Sequence, residues 1–189
     1  MTETLITGDN LSLKTIPFKA EISMDYLNNL EYVSKPKIVI RGREFSQNRD
    51  VIFFSNTSKG YNYSGQTTPV KLLTPELAYL LIKVNDVLGT DFNGMLINRY
   101  NSGSDFIGAH SDKTTYLESK TIATLSFGAS RKFRLRDKKT KKIILDYHTK
   151  ENELLVMDGE FQKFYTHEIP KTVRKIGPRI SITFRNHKC

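Results

Sequence analysis

Residues 179–185 read Arg-Ile-Ser-Ile-Thr-Phe-Arg, and this alternation of polar and apolar side chains is typical of a β-strand. Because side chains two residues apart in a strand share a face, Ile180, Ile182 and Phe184 would pack against the body of the protein. The opposite face carries both arginines and must look either into a cavity or, as an edge strand, to water. Arginines inside a cavity need anions to meet them. At about 3.3 Å per residue the two arginine Cα atoms lie roughly 20 Å apart, so a short dicarboxylate could lie between them.

A second informative stretch is His110-Ser111-Asp112, which is followed much later in the chain by His167. In an extended segment His110 and Asp112 point to the same face, so both can reach one ion. Two imidazoles and one carboxylate leave coordination positions open, which suits non-haem Fe(II). A zinc hydrolase can use the same ligands. For so short a motif, a turn aspartate beside a surface histidine is also an ordinary explanation.

The order of apolar segments predicts a mainly β protein. After Gly94 short strands alternate with turns, which favours a closed all-β architecture such as a jelly roll. Residues 38–40 and 51–54 are further predicted strands. The 189 residues suffice for one domain with a substantial core. We therefore expect an arm at residues 1–20 and a single domain at residues 21–189.

Two helices are predicted before Gly94. Ser23 can cap a short helix over Met24–Val33, whose apolar residues are spaced for one buried stripe. The second helix has clearer signals. Thr74 is a suitable N-cap, Pro75 fits the first helical position, and Gly89 is a suitable stop.

The chain is strongly basic, with a formal charge of +9 and a pI near 9.5, which favours a polyanionic partner. Residues 131–142 are predicted to form a hairpin that packs Phe133 and Leu135 inward and turns basic side chains outward to meet phosphates. The basic residues of this outer face and its turn are Lys132, Arg134, Arg136, Lys138, Lys139, Lys141 and Lys142. The alternative is a hairpin whose charges are merely solvated. A second basic cluster, Lys171, Arg174 and Lys175, lies between His167 and Arg179 and is expected near the rim of the site.

The cysteine usage and the apolar segments bear on the compartment. The single cysteine, Cys189, allows no intrachain disulfide and suits a reducing compartment. Residues 1–5 lack the features of a signal peptide, and no apolar run is long enough to span a bilayer. We expect a soluble, intracellular, monomeric protein of the cytoplasm or nucleus without a membrane partner.

Together these motifs resemble the AlkB family of 2-oxoglutarate- and Fe(II)-dependent dioxygenases. The matching elements, in the family's order, are Asn98-Arg99-Tyr100, His110-Ser111-Asp112, Ser126–Arg131, His167 and Arg179–Arg185. Upstream, residues 61–65, Tyr-Asn-Tyr-Ser-Gly, resemble a segment of the members that repair DNA. The likeness covers roughly residues 36–187. Such an ordered set is far more specific than any one of its motifs.

The resemblance implies a double-stranded β-helix (jelly-roll) core braced by helices, and it assigns the cofactor residues. His110, Asp112 and His167 would bind Fe(II). The side chains assigned to 2-oxoglutarate are Asn98, Tyr100, Arg179, Ser181 and Arg185. Arg179, with Tyr100 and Ser181, would hold the distal carboxylate, because a guanidinium presents a fixed donor fork to a carboxylate. Arg185 and Asn98 would lie beside the carboxylate that chelates the metal.

The resemblance also implies a base flipped out of its stack and gripped by its faces. Tyr63 and the His110 imidazole would cover the two faces, with Tyr61 at the edge. Ile40 or Arg41 would act as a wedge in the duplex, since the aromatic finger of duplex-repairing relatives is missing. The full predicted substrate set is Tyr61, Tyr63, Ser64, Arg49, Ile40, Arg41, Arg131, Lys171, Arg174 and Lys175.

The implied activity is oxidative demethylation of N-alkylated bases such as 1-methyladenine and 3-methylcytosine. It consumes O2 and 2-oxoglutarate and releases formaldehyde, succinate and CO2. DNA is favoured over RNA as the partner. A hydroxylase or demethylase of protein or lipid would share every cofactor residue and is the main alternative. A zinc hydrolase also stays open, although it would not need the arginine face at residues 179–185. So does a nucleic-acid-binding module without catalysis, which would keep its affinity after His110→Ala and release no formaldehyde.

Overall fold

The computed structural model describes residues 1–40, 42–58, 60–63 and 66–188, leaving aside the side chains at positions 40, 62, 63, 66 and 67. In chain order the strands are β1 (Glu3–Gly8), β2 (Leu11–Pro17), β3 (Lys37–Ile40), β4 (Arg43–Ser46), β5 (Asp50–Ser55), β6 (Tyr61–Tyr63), β7 (Gln66–Thr68), β8 (Val70–Lys71), β9 (Gly94–Tyr100), β10 (Ile107–His110), β11 (Ile122–Gly128), β12 (Lys132–Asp137), β13 (Ile143–His148), β14 (Glu153–Gly159), β15 (Tyr165–Ile169) and β16 (Arg179–Arg185). The helices are α1 (Met24–Asn28), α2 (Pro75–Leu88) and α3 (Phe161–Phe164), and a 3-10 turn covers Thr114–Tyr116.

Two sheets form the body of the protein. The large sheet has the strand order β1-β2-β14-β11-β16-β9-β5-β8, and the small sheet has the order β10-β15-β12-β13. Neighbouring strands are antiparallel except β5 and β8, which pair in parallel. The pairs β3–β4 and β6–β7 form two separate hairpins. The predicted jelly-roll fold is confirmed.

The apolar residues form two main layers. In one layer α2 covers the outer face of the large sheet, with Leu77 and Leu80 packed among strand residues such as Ile97 and Ile182. In the other layer Leu135 of the small sheet packs with buried residues of β11 and β14, so this core lies between the two sheets. Burial of apolar surface on both sides of the large sheet is the main force that holds the layers together.

The helix predictions differ in their outcome. α2 begins after Thr74, whose side chain accepts from the Leu77 N–H, and ends at Gly89, which adopts the left-handed conformation; both predicted caps are confirmed. α1 is also capped by Ser23, but it ends at Asn28, so the predicted extent to Val33 is wrong. The backbone of Val33 instead pairs with Val51 in a β-bridge, and that pairing competes with the helix.

The two ends of the chain join the large sheet differently. Residues 3–17, part of the predicted arm, form β1 and β2, and β2 pairs along its whole length with β14. The boundary at residue 20 stays a prediction. β16 lies in the middle of the sheet, where its register places Arg179 beside Tyr100 and Ser181 beside Asn98. In the described part of the chain, no helix has the length and apolar character needed to cross a bilayer.

Candidate metal centre and its cavity

Three predicted metal ligands meet at the end of the small sheet. β10 and β15 pair so that His110 lies opposite His167, and the centroids of the two imidazole rings are 4.4 Å apart. Asp112 follows two residues after His110, and one ligand atom from each of the three side chains lies within 4.8 Å of the others. Strand pairing therefore joins a local motif to a histidine from a distant part of the chain, and the predicted grouping of the three side chains is confirmed.

The protonation states of the histidines suit metal binding. The carbonyl of Gly108 can only accept, so His110 Nδ1 at 2.9 Å donates to it, which puts the lone pair of the ring on Nε2. Burial lowers the pKa of His110, and burial together with the neighbouring His110 lowers the pKa of His167 to about 3. Both imidazoles are therefore neutral near pH 7, the form that a metal ion requires.

Asp112 is held by two contacts. Burial by itself would raise the pKa of this carboxyl, but the charge and hydrogen bond of Arg185, together with the two neighbouring histidines, outweigh that effect, so the pKa is lowered. Arg185 Nη2 donates to Asp112 Oδ1 at 2.9 Å, whereas the buried Oδ2 has no hydrogen-bond partner among the described residues. The Asp112 N–H donates to Gln162 Oε1 at 2.9 Å. The carboxylate is thus ionised and fixed, with one oxygen left for a metal.

The polar face of β16 looks into a cavity, and the edge-strand alternative is wrong. Arg179, Ser181 and Arg185 are all buried and line one cavity with the three metal ligands. Arg179 is 2% exposed, and its Nη2 donates to Ser126 Oγ at 2.9 Å. Its Nε and Nη1 are buried and have no hydrogen-bond partner within the described ranges. A buried, ionised guanidinium with two such nitrogens would be stabilised by an anion bound in the cavity.

The other residues assigned to 2-oxoglutarate line the same cavity. The ring of Tyr100 lies 5.2 Å from the guanidinium carbon of Arg179. Asn98 is buried, and its Oδ1 accepts from Arg49 Nε at 2.7 Å. Arg49, assigned to the substrate set, is only 4% exposed and forms part of the cavity wall, because it reaches inward to Asn98. The individual roles of these residues toward 2-oxoglutarate stay predictions.

The structure places only part of the predicted base pocket. Tyr61 lies on the cavity wall, with the Arg185 guanidinium 5.3 Å from its ring centroid. It packs edge-on against His187 at 6.0 Å, a residue that the sequence analysis did not single out. The side chains of Tyr63 and Ile40, together with the whole of Ser64 and Arg41, lie outside the described residues.

The predicted hairpin at residues 131–142 is confirmed, but the basic side chains of its first strand are paired with acids. Phe133 and Leu135 are buried as predicted. On the outer face, however, Arg134 forms two hydrogen bonds to Asp146, which also pairs with Lys132. Arg136 pairs with Glu168 at 2.9 Å. These carboxylates come from the neighbouring strands, so the three basic residues of β12 are already paired with acids in the folded protein.

Arg131 is more deeply buried than its assignment to substrate suggested. It was expected to contact substrate, but it is 2% exposed and donates to main-chain carbonyls of the loop at residues 102–105 and of Pro170. This buried guanidinium ties two loops to β12 and also lines the groove outside the small sheet, so its contact with a substrate stays a prediction. Lys171 and Arg174 line a groove on the outside of the small sheet, and Lys175 is exposed. Their contact with a substrate stays a prediction.

Gln162 is a residue that sequence reasoning missed. It lies on α3 and is buried, and it carries the acceptor for the Asp112 N–H. Its Nε2 lies 3.3 Å from Met157 Sδ, a contact that fixes which way the amide points. A glutamine fifty positions from its partner has no local pattern that could reveal this contact.

Comparison with known proteins agrees with this geometry. A family model described as the 2OG-Fe(II) oxygenase superfamily matches residues 20–185. The chain is 30% identical over 175 residues to the DNA oxidative demethylase ALKBH2 of Bos taurus, covering 87% of this chain but 63% of that protein. It is 35% identical over 139 residues to the alpha-ketoglutarate-dependent dioxygenase alkB homolog 3 of Bos taurus, covering 66% of this chain and 47% of that protein.

A solved structure, that of OsALKBH1, has the same fold. It superposes with a TM-score of 0.61 at 12% identity and covers 98% of this chain and all of that one. Both the family match and the ligand set of His110, Asp112 and His167 point to the same chemistry. The chain belongs to the 2OG-Fe(II) oxygenase superfamily.

Proposed function

We propose that this protein is an Fe(II)- and 2-oxoglutarate-dependent dioxygenase that removes N-alkyl groups from bases in nucleic acid. One observation carries the proposal. The buried Arg179, with two nitrogens lacking partners among the described residues, opens into the cavity that holds His110, Asp112 and His167. A hydrolytic zinc site has no use for such a guanidinium, whereas a keto-acid bound beside a metal needs one.

The chain's own residues would position the cofactors. His110, Asp112 and His167 would hold the Fe(II). Arg179, with Tyr100 and Ser181, would bind the distal carboxylate of 2-oxoglutarate. The remaining two assigned residues, Arg185 and Asn98, would lie beside the carboxylate next to the metal.

When bound, Fe(II) with 2-oxoglutarate and O2 supplies the oxidising power that hydroxylates an N-methyl carbon, and the products are succinate, CO2 and formaldehyde. The protein's contribution is to orient the groups and to exclude water. Arg185 keeps Asp112 ionised, and Gly108 keeps His110 in the tautomer that has its lone pair on Nε2. The rings of Tyr61, Tyr100 and Phe133 line the same cavity and would limit the access of water to the bound groups.

Three observations support a nucleic-acid substrate. Relatives with similar sequences are named DNA oxidative demethylases, and the chain carries a formal charge of +9. Tyr61 lies on the wall of the cavity, where a flipped base could meet an aromatic ring. We favour DNA over RNA, and with it the nucleus or cytoplasm as the place of action.

The test is single-turnover chemistry. The protein is loaded anaerobically with Fe(II) and 2-oxoglutarate and then exposed to oxygen with methylated DNA or RNA oligomers, single or double stranded, and separately with methylated peptides. We expect loss of the methyl mass with stoichiometric formaldehyde and succinate on oligomers. His110→Ala and Arg179→Ala should abolish it.

Two outcomes would contradict the proposal. Turnover on peptides alone would replace nucleic acid by protein as the substrate class. Metal-dependent hydrolysis that proceeds without 2-oxoglutarate would instead identify a zinc-type enzyme.

A further inference from the structure

A second pocket, of about 460 Å³, lies directly beside the metal cavity and shares Asp112 with it. Its walls come from the loop that follows β10, from the turn after β12 and from α3. The basic residues that line it are Lys113, Lys120, Lys138 and Lys163. Hydroxyl groups of Ser111, Thr114 and Thr115 line it as well. Ammonium groups interleaved with hydroxyl groups are the donors with which proteins contact phosphate oxygens.

The pocket keeps an excess of positive charge. Lys120 pairs with Glu160, and the Asp112 carboxylate is already bound to Arg185. For Lys113, Lys138 and Lys163, no carboxylate of the described residues lies within ion-pair distance. Burial lowers the pKa of Lys138, which marks it as a partly desolvated ammonium group. An anion in this pocket would relieve that penalty.

This distinguishes the pocket from the basic face that the sequence highlights. On the outside of the small sheet, Asp146 and Glu168 neutralise the arginines of β12. A phosphate arriving there would have to displace a carboxylate. In the pocket beside Asp112 a phosphate would not have to displace a carboxylate. The pocket is therefore the better phosphate site, even though fewer basic residues line it than line the outer face.

Gln162 connects the pocket to the metal centre. Lys138 Nζ donates to the Gln162 main-chain carbonyl at 2.6 Å, and the Gln162 side chain accepts from the Asp112 N–H. A group bound at Lys138 is therefore held at a fixed position relative to Asp112. That is the arrangement required of an anchor for the strand whose base enters the cavity.

We propose that this pocket binds a phosphodiester group of the nucleic-acid strand that carries the base undergoing demethylation. The proposal rests on the proposed function and adds to it the surface that the strand backbone occupies. Lys113, Lys138 and Lys163 are the residues that contact the phosphate, and Thr114 contributes a hydroxyl group.

The experiment measures oligonucleotide affinity by fluorescence anisotropy over a range of salt concentrations, on protein loaded with Mn(II) and 2-oxoglutarate so that no turnover occurs. The test variant is Lys113→Met/Lys163→Met, which changes two exposed side chains and spares the fold. The matched control is Lys19→Met/Lys83→Met, which removes two exposed lysines distant from the pocket. For a single strand, each lost phosphate contact should reduce the slope of log K against log salt by about 0.7.

Because the pocket holds one phosphate, we expect a reduction of about 0.7 for the pocket variant, and a slope within error of the unaltered protein for the control. A series of oligonucleotides, each with one neutral methylphosphonate, then locates the contact. At one position the neutral linkage should weaken binding by the unaltered protein and leave binding by the pocket variant unchanged.

The outcomes separate this proposal from the proposed function. If the unaltered protein binds and demethylates oligonucleotides but the pocket and control variants have equal slopes, the pocket proposal is wrong and the function stands. If the unaltered protein binds no oligonucleotide, the substrate class itself is wrong. Chemical modification of the pocket lysines, with and without a bound ligand, gives a third outcome. If inorganic phosphate protects these lysines from modification but oligonucleotides do not, the pocket is a site for free anions and the strand proposal fails.

Discussion

Replacing Gln162 with leucine would remove one hydrogen bond from the backbone of a metal ligand. Gln162 is 5% exposed, and its Oε1 accepts from the Asp112 N–H at 2.9 Å. Leucine has a similar volume and can keep the packing against Met157. The substitution therefore isolates the loss of the acceptor. We expect it to weaken metal binding more than it harms the fold.

The expected cost of losing this hydrogen bond follows from the burial of both Asp112 and Gln162. A buried N–H left without an acceptor costs about 1–3 kcal/mol, and water cannot easily reach this one because Asp112 is itself buried. Asp112 lies in the loop just after β10, outside any strand, so the loop would relax to recover a partner. Loss of an outer contact to a metal ligand typically weakens metal affinity about 10–100-fold, which is about 1.4–2.7 kcal/mol. The two estimates agree.

The assay is an anaerobic titration with Co(II), followed by visible absorption, alongside thermal unfolding of the metal-free protein. Phe164→Leu changes an exposed residue of the same helix and should leave metal affinity unchanged. Gln162→Glu keeps an oxygen that can accept from the Asp112 N–H and should recover most of the affinity. If Gln162→Leu lowers the melting temperature yet binds Co(II) as tightly as the unaltered protein, Gln162 is merely a packing residue and the reasoning is refuted.

Three further predictions follow from other buried groups. Arg179→Met should weaken 2-oxoglutarate binding about 100-fold in calorimetry, with Arg179→Lys recovering only part because an ammonium lacks the guanidinium fork; equal affinity in all three would remove Arg179 from the co-substrate site. Arg131→Met should lower the free energy of unfolding by about 3 kcal/mol in urea but leave the salt dependence of oligonucleotide binding unchanged, whereas a direct phosphate contact would alter that dependence. Burial lowers the pKa of His187 to about 4 from 6.5, so its contribution to stability is complete above pH 6.5 and is lost as pH falls toward 4. Between these limits His187→Gln should reduce the slope of the free energy of unfolding against pH by up to about 1.4 kcal/mol per pH unit. Equal slopes for the variant and the unaltered protein would show that the fold does not shift the pKa of His187.

The fold was predictable from the sequence where a pattern is local. The alternation in β16 identified a strand with one core face and one cavity face, and the caps Thr74 and Gly89 gave both ends of α2. The extent of α1 was not predictable in this way. Its apolar spacing continues to Val33, but a bridge between Val33 and Val51 ends the helical run, and that contact joins residues far apart in sequence.

In the candidate site, too, local features could be predicted from the sequence, whereas contacts between distant residues could not. His110 and Asp112 could be paired from their spacing, and His167 from the order of the family's motifs. Charge pairing across strands could not be predicted, because Asp146 and Glu168 meet the arginines of β12 only through the register of the small sheet. A prediction from composition treats every lysine or arginine as an unpaired positive charge, wherever the residue lies in the fold. Arg131, buried against four carbonyl groups, is the clearest case in which that assumption fails.

The ion pair between Arg185 and Asp112 bears on how many coordination positions the protein fills. Arg185 occupies Asp112 Oδ1, so the carboxylate has one oxygen, Oδ2, to offer a metal. With one nitrogen from each of His110 and His167, the protein then supplies three ligand atoms. An Fe(II) ion held by these three residues would keep coordination positions for a keto-acid and oxygen. Were Arg185 absent, both carboxylate oxygens could bind the metal and one of those positions would be lost. The second arginine of β16 therefore matters to the chemistry even where it does not touch the co-substrate.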